Sequence, residues 1–369
     1  MKNSFGNSMV VTLFGESHGP YTGVVLDGLA PGIRVDGVFI GKQLELRRPW
    51  GKISTPRVEA DEYQIVSGLF EGFTTGTPLC ILIPNKETSS GDYDVLSHTA
   101  RPGHADYTAW CKYHGFQDHR GGGHFSGRLT AALVAAGAVV IPALKEKGIL
   151  IGSHLKSCAG VQDAGFACEA ELLGQQIEEL NSKKFAVLDE AAGASMQAEI
   201  EKAAKEGDST GGVIETAVTG LPAGLGEPWF DSIESLLSHA LFSIPSVKGV
   251  QFGSGFDMAD GRGSAFNDSF RVSGGRIVTE TNNNGGINGG ITNGMPVVFR
   301  CAIKPTASIF KPQKTVDFKA VENTELALTG RHDPAIIHRA RVVVDSIAAL
   351  VLYDILSGRF GTDFFSGRK

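Results

Sequence analysis

Glycine constrains this chain more than any other residue. It fills 48 of 369 positions, well above the usual share of about 7%. The glycines cluster in short runs between apolar segments, as in Gly121-Gly122-Gly123 and Gly285-Gly286-Ile287-Asn288-Gly289-Gly290. Glycine reaches backbone conformations that a Cβ forbids, and it lets a ligand or a second backbone come close. The pattern therefore predicts many tight turns and backbone-lined sites rather than low complexity. The 42% apolar and 20% charged residues leave ample material for a large core. No internal repeat of fixed period and no Pro-rich or Ser-rich linker divides the chain. One domain over residues 1–369 is expected, with a peripheral helical elaboration at about 165–207, where Glu, Lys and Ala concentrate.

Short segments rich in Val, Ile and Thr, bounded by Gly, Pro or Asn, predict strands at 9–14, 22–26, 79–83, 213–218 and 297–303. Helices are expected over 126–147, 189–205, 231–242 and about 334–356. Gly148 and Gly207 are suited to end the first two. Asp231 is a candidate N-cap for the third, and Pro334 fits a first helical turn. Long helices separating groups of strands favour a mixed α/β or α+β architecture.

The net charge of −6 argues against a general nucleic-acid binder, which is usually basic. Anionic small molecules remain possible ligands where Arg and Lys gather locally. The five scattered cysteines (Cys80, Cys111, Cys158, Cys168 and Cys301) contain no CxxC pair. They predict buried reduced thiols, with neither a disulfide framework nor a metal site. The N-terminal residues lack a signal-peptide core, and residues 129–144 are interrupted by Gly137 and Pro142. A cytoplasmic protein with no membrane partner is expected.

Three turns carry candidate proton-handling groups. They are Gly15-Glu16-Ser17-His18-Gly19, Arg101-Pro102-Gly103-His104-Ala105-Asp106 and Gly330-Arg331-His332-Asp333-Pro334. Histidine exchanges protons near neutral pH, and a carboxylate supplies a matching base. Any one of these histidines could merely fill a loop; three such turns in one chain favour a shared site. Arginine is the second signal. Arg47, Arg48, Lys52 and Arg57 form a basic stretch in an acidic protein, and Arg101, Arg120, Arg128 and Arg331 sit in or beside the glycine-rich turns. Guanidinium grips carboxylate or phosphate bidentately. Small-residue loops are the third: Arg120-Gly121-Gly122-Gly123-His124-Phe125-Ser126, the asparagine–glycine run 282–290, and Lys304-Pro305-Thr306-Ala307-Ser308. Together they could hold a phosphorylated cofactor. Neither a Rossmann fingerprint nor a P-loop stands in its proper context.

In this order the motifs resemble the chorismate synthase family along nearly the whole chain. The matching stretches are GESHG at 15–19, LRRPWG at 46–51, SGLFEGFTTGTPL at 67–79, RPGHADYT at 101–108, RGGG at 120–123, GLPAGLGEPWFD at 220–231, SVKG at 246–249, NNGGINGGITNG at 283–294, KPTAS at 304–308 and GRHDP at 330–334. The resemblance implies an α+β fold, a β-α-β sandwich of antiparallel sheets with helices packed around and between them, assembled as a homotetramer. It implies a lyase that performs 1,4-anti elimination of phosphate from 5-enolpyruvylshikimate 3-phosphate. The product is chorismate, at the end of the shikimate pathway, and the reaction needs reduced FMN (FMNH2) without net redox. Some members also use NADPH to reduce the flavin.

Carried over by motif, His104 would assist the leaving phosphate, His18 would poise the reduced flavin, and Asp333 would relay the proton. Arg47, Arg101, Arg128 and Arg331 would hold the substrate's anions, with Lys52 or Arg57 assisting. Flavin contacts would come from Ser126, Pro245, Ser246, Gly289, Lys304, Pro305, Thr306, Ala307, Ser308 and Arg331, and from His124 and Phe125. The last two mark a departure: the common family pattern is Arg-Ser-Ser-Ala-Arg-Glu-Thr, and this chain has His124-Phe125-Ser126-Gly127-Arg128-Leu129-Thr130. Lys52, Pro245-Ser246 and Ala307 also differ from common family choices. The competing readings are a flavin-dependent oxidoreductase and a non-catalytic module that binds FMN or a phosphate ligand.

Overall fold

The computed structural model describes residues 2–55, 60–86, 95–328 and 333–367. Arg57 and Arg331 therefore lie outside the described residues. The first sheet is built from β1 (Ser4–Phe5), β2 (Val10–Gly15), β3 (Tyr21–Asp27), β4 (Gln64–Ser67) and β7 (Leu79–Pro84). A small hairpin of β5 (Leu69–Phe70) and β6 (Phe73–Thr74) stands beside it. The strand order is β1-β2-β3-β7-β4, with every pair antiparallel. Strand β7 alternates buried and half-buried residues, so Leu79, Ile81 and Ile83 face the core.

Helices α1 (Gly37–Arg47), α2 (Asp106–Tyr113) and α3 (Thr130–Glu146) precede the second sheet. That sheet begins with β8 (Leu150–Cys158) and β9 (Val161–Gln162), followed by α4 (Ala170–Leu180) and α5 (Glu190–Lys205). It continues through β10 (Gly212–Thr219), α6 (Ile233–Leu241), β11 (Val247–Phe252) and α7 (Gly263–Phe266). Two ribbons follow: β12 (Phe270–Ser273) with β13 (Arg276–Thr279), and β14 (Ile287–Asn288) with β15 (Ile291–Thr292). Strand β16 (Val297–Ile303) then enters the sheet, whose order is β11-β16-β10-β8-β9. A last ribbon of β17 (Gln313–Asp317) and β18 (Glu322–Leu326) leads to α8 (Ile337–Phe360).

Helices α3 and α8 pack on each other, α3 against β3 and β7 and α8 against β8 and β10. The result is two antiparallel sheets with helices between and around them, the sandwich the motifs imply. Each fully buried Leu, Ile or Val in this middle layer contributes roughly 1.5–3 kcal/mol. Gly137 sets the approach of the helices, because a Cβ there would lie 2.4 Å from Ser346 Cβ. Apolar α3 is thus a core helix.

Several sequence expectations need correction. The predicted 126–147 helix starts with a 3-10 turn at Gly127–Leu129, and α3 proper begins at Thr130. Ser232, not Asp231, caps α6, accepting a hydrogen bond from Ser235 N–H. Pro334 lies before α8, and its carbonyl accepts from Thr210 N–H. Cys158 and Cys301 are buried thiols pushed up to about 11 and about 12 by burial, but Cys111 and Cys168 are exposed.

A buried ionic chain ties the second sheet together. His154 Nδ1 lies 2.7 Å from Asp163, its Nε2 2.9 Å from Glu215, and Arg300 donates to Glu215 at 2.7 Å. Burial lowers the His154 pKa, but hydrogen bonds to Asp163 and Glu215 outweigh it and raise the value above normal. A raised histidine pKa stabilises the fold fully below the unfolded value of about 6.5, and that share is lost as pH rises through the folded value. Burial alone would raise Glu215, yet His154 and Arg300 bring it down to about 2. Its share is present above the unfolded carboxyl value and is lost as pH falls. The expected result for His154→Gln is a lower Tm, with the largest deficit near pH 6 and a shrinking one towards pH 9. Thermal denaturation across that range checks it; a pH-independent deficit would contradict the charged pairing.

Candidate active site

Strand β2 delivers the chain at Gly15 into the turn that carries His18. Asn85, just beyond β7, holds that turn: its Nδ2 donates to the carbonyls of Glu16 (2.9 Å) and Gly19 (2.8 Å). Its Oδ1 accepts from Arg128 Nε at 3.0 Å. Ser17 N–H donates to the Gly123 carbonyl at 3.1 Å, joining this turn to the glycine turn. Gly121 has φ +58°, and a Cβ there would lie 2.2 Å from His18 Cε1. His18 is buried directly behind that turn, and among the described residues it is Gly121 that lines the cavity in front. His124 Nδ1 donates to the Gly15 carbonyl at 2.8 Å. The proton on Nδ1 leaves Nε2 of the neutral ring as an acceptor, whereas an arginine here would offer only donors.

The second turn is held by Asp106, at the start of α2. Arg101 grips its carboxylate with Nε at 2.8 Å and Nη2 at 2.7 Å. His104 Nδ1 lies 2.8 Å from Asp106 Oδ1 and 3.0 Å from Arg101 Nη2. Only the carboxylate can accept a proton from the ring, so Nδ1–H points at Asp106 and Nε2 is left for a ligand. Burial would raise the Asp106 pKa, but the bonds from Arg101 and His104 hold it far below the usual carboxylate range. Asp106 is thus ionised throughout the working range of an enzyme.

Arg47 and Arg128 converge on Asp61. Arg47 Nη1 reaches Asp61 Oδ2 at 3.2 Å, and Arg128 Nη1 bonds Asp61 Oδ1. Arg47 also donates to Thr130 Oγ1 at 2.9 Å and the Gly127 carbonyl at 3.0 Å. Asp333, in the third turn, accepts from Thr55 N–H at 2.8 Å and from Arg339 Nη1 at 2.7 Å. Arg339 in turn donates to the Arg47 carbonyl at 2.8 Å, linking the two groups. His338, next in line on α8, is no competing acid: burial, aided by Arg339, lowers it to about 3.

Several of these groups border one cavity of about 940 Å3. Among the described residues, Arg47, Arg101, His104, His124, Phe125, Ser126, Arg128, Pro245, Ser246, Lys304, Thr306, Ala307, Ser308 and Asp333 all border it. Its described lining carries seven Lys or Arg side chains against one carboxylate, Asp333. In a chain of net charge −6, such a concentration selects anionic ligands. Thr306 Oγ1 is buried with no hydrogen-bond partner among the described residues. Lys304, Ser308 and the aromatic Phe125 border the same cavity, and this donor set with an aromatic side chain fits a cofactor that combines a phosphate with a planar ring.

Three candidates lie elsewhere. Lys52 is exposed in the turn after α1, Pro305 is exposed between Lys304 and Thr306, and Gly289 is exposed at the tip of the β14–β15 ribbon. None of them lines the cavity. Asp61, Asn85, Asp106 and Arg339 hold the site's side chains and turns but stand outside the roles that the motifs imply. Only Asp106 carried a signal, because it stands two residues from His104 in a turn.

The family model described as "Chorismate synthase" matches residues 9–356. The chorismate synthase of Pyrococcus abyssi is 46% identical over 351 residues, 95% of this chain and 96% of its own length. That of Thermococcus gammatolerans is 47% identical over 354 residues, 96% and 97% of the two chains. A solved structure titled "Crystal Structure of Chorismate Synthase" superposes with a TM-score of 0.76 at 28% identity, covering 96% of this chain and 94% of that one. Near-complete matches in sequence and fold, around a basic cavity built from the motif turns, lead to one conclusion: the chain belongs to the chorismate synthase family.

Proposed function

We propose that this chain converts 5-enolpyruvylshikimate 3-phosphate to chorismate and phosphate, with reduced FMN bound in the cavity. The observation that carries the reading is that His104, Asp333, Arg47, Arg101, Arg128 and Lys304, from distant parts of the sequence, border one basic cavity. The reaction removes phosphate and a proton from opposite ends of a four-carbon system. It needs a proton donor at the leaving oxygen and an acceptor for the departing proton, both in one water-shielded place. Bound reduced flavin would supply electron density that helps break the carbon–oxygen bond.

The chain's own residues do the rest. His104, its Nδ1–H held by Asp106, acts in its doubly protonated form and donates the Nε2 proton to the leaving phosphate. Asp333, held by Thr55 and Arg339, takes up the proton. The arginines hold the substrate's carboxylates and phosphate. Ser126, Ser246, Lys304, Thr306 and Ser308 are the contacts for the cofactor's phosphate and polar chain, with Arg331 assisting. His18 supports the glycine turn from behind and would poise the reduced cofactor. The chain works as one folding unit in the cytoplasm, as a homotetramer. NADPH is the candidate reductant of the bound flavin.

The test is steady-state formation of chorismate under anaerobic conditions. Turnover is expected with reduced FMN and none with oxidised FMN. Stoichiometric NADPH consumption with a reduced organic product would mark an oxidoreductase instead. Tight FMN binding without any product would mark a binding module.

A further inference from the structure

Two cavity-lining guanidinium groups share a single carboxylate that no ligand would touch. Asp61 is 3% exposed and is not among the residues that line the cavity. It sits behind Arg47 and Arg128, with one carboxylate oxygen turned to each. Both arginines are themselves buried, 4% and 7% exposed. Asp61 also holds φ +49°, in the left-handed region that non-glycine residues enter uncommonly and that concentrates where the fold has a use for it. The chain on either side is fastened too: Arg48 donates to the carbonyl of Ala60, next to Asp61.

Two buried cations a few ångströms apart repel, and each long side chain has many rotamers to lose. A carboxylate bridging them offsets the repulsion and fixes both planes at once. The remaining bonds complete the setting: Arg47 to Thr130 and the Gly127 carbonyl, Arg128 to Asn85 and the Pro84 carbonyl. The geometry points to Asp61 as a positioning residue that aims Arg47 and Arg128 at the substrate's anionic groups from behind the cavity wall. This inference rests on the proposed activity.

Asparagine at this position could accept from one arginine, but its amide would present donors to the other. One guanidinium would therefore lose its orientation. For Asp61→Asn in the full-length enzyme with reduced FMN, KM for 5-enolpyruvylshikimate 3-phosphate is expected to rise about tenfold or more. The value of kcat should fall much less, the pattern of lost substrate binding rather than lost chemistry. FMN affinity, read from quenching of flavin fluorescence, should stay within about twofold, which general damage to the fold would not allow. A double-mutant cycle with Arg128→Lys should be non-additive, because both changes break one contact.

Unchanged or tighter substrate binding by Asp61→Asn would overturn the inference. Should that variant fail to fold, Asp61→Glu decides: it keeps the charge but displaces it by one methylene, so its KM should rise, and an unchanged KM would overturn the inference equally. Wild-type enzyme in the same assay separates the two levels of the account. No phosphate release from wild type sinks the proposed activity itself, whereas normal wild-type turnover with an unaltered variant removes only the role of Asp61.

Discussion

His104→Ala should lower kcat by about 10²–10⁴-fold, the range for a lost general acid or base, while FMN affinity and Tm stay near wild type. The ring is 22% exposed and bonds chiefly to Asp106, so its removal leaves little of the core disturbed. Asp106→Asn should fall into the same range by another route. An amide facing Nδ1 no longer offsets the charge of the imidazolium that must donate from Nε2. The loss of that charge stabilisation is then added to a structural cost. Arg101 would keep a buried charge without its carboxylate, which costs about 3–5 kcal/mol in comparable buried pairs. Asp106→Asn is therefore expected to lose Tm as well as rate, and His104→Ala rate alone. The double variant should be no slower than the worse single one, because both act through one imidazole. Additive rate losses would mean that the two residues do separate jobs.

Asp333→Asn is the second large effect, again about 10²–10⁴-fold in kcat, with substrate affinity little changed. The amide can still accept from Thr55 N–H through its oxygen, so the turn before α8 should keep its shape. It cannot take up a proton, and its NH2 would face Arg339, a donor opposite a donor. Substrate deuterated at the position that loses its proton provides the check. The variant should show a larger isotope effect than wild type, because proton removal becomes the slow step. An unchanged rate for Asp333→Asn would remove the carboxylate from the reaction.

The elements set by local chain chemistry are legible in the sequence. Strands at β2, β3, β7, β10 and β16 were marked by β-branched runs between turn residues, and the glycine turn by its composition. Strand β8 was not marked, because its Ser153 and His154 are buried in hydrogen-bonded pairs with Thr216 and Glu215, which hides the alternation of an ordinary strand. The catalytic turns were recognisable from histidine and aspartate beside Gly and Pro. Their partners were not. Asn85 joins Arg128 to the His18 turn, and Asp61 joins Arg47 to Arg128, only once β7 and α1 have packed on α3. No spacing in the sequence encodes those meetings. Arg339 sits in a helix rich in charged and apolar residues and looks like any surface arginine until it meets Asp333. The exposure of Gly289 and Pro305 was hidden for the same reason: a motif names a loop, while folding decides which of its residues face the cavity.

The most direct test of the central claim is an anaerobic single-turnover experiment. Enzyme loaded with reduced FMN is mixed with limiting 5-enolpyruvylshikimate 3-phosphate, and phosphate, chorismate and flavin absorbance are followed together. The account predicts one phosphate and one chorismate for each substrate consumed, with the flavin still reduced at the end. Flavin left oxidised in proportion to the product, or substrate bound without release of phosphate, would contradict it.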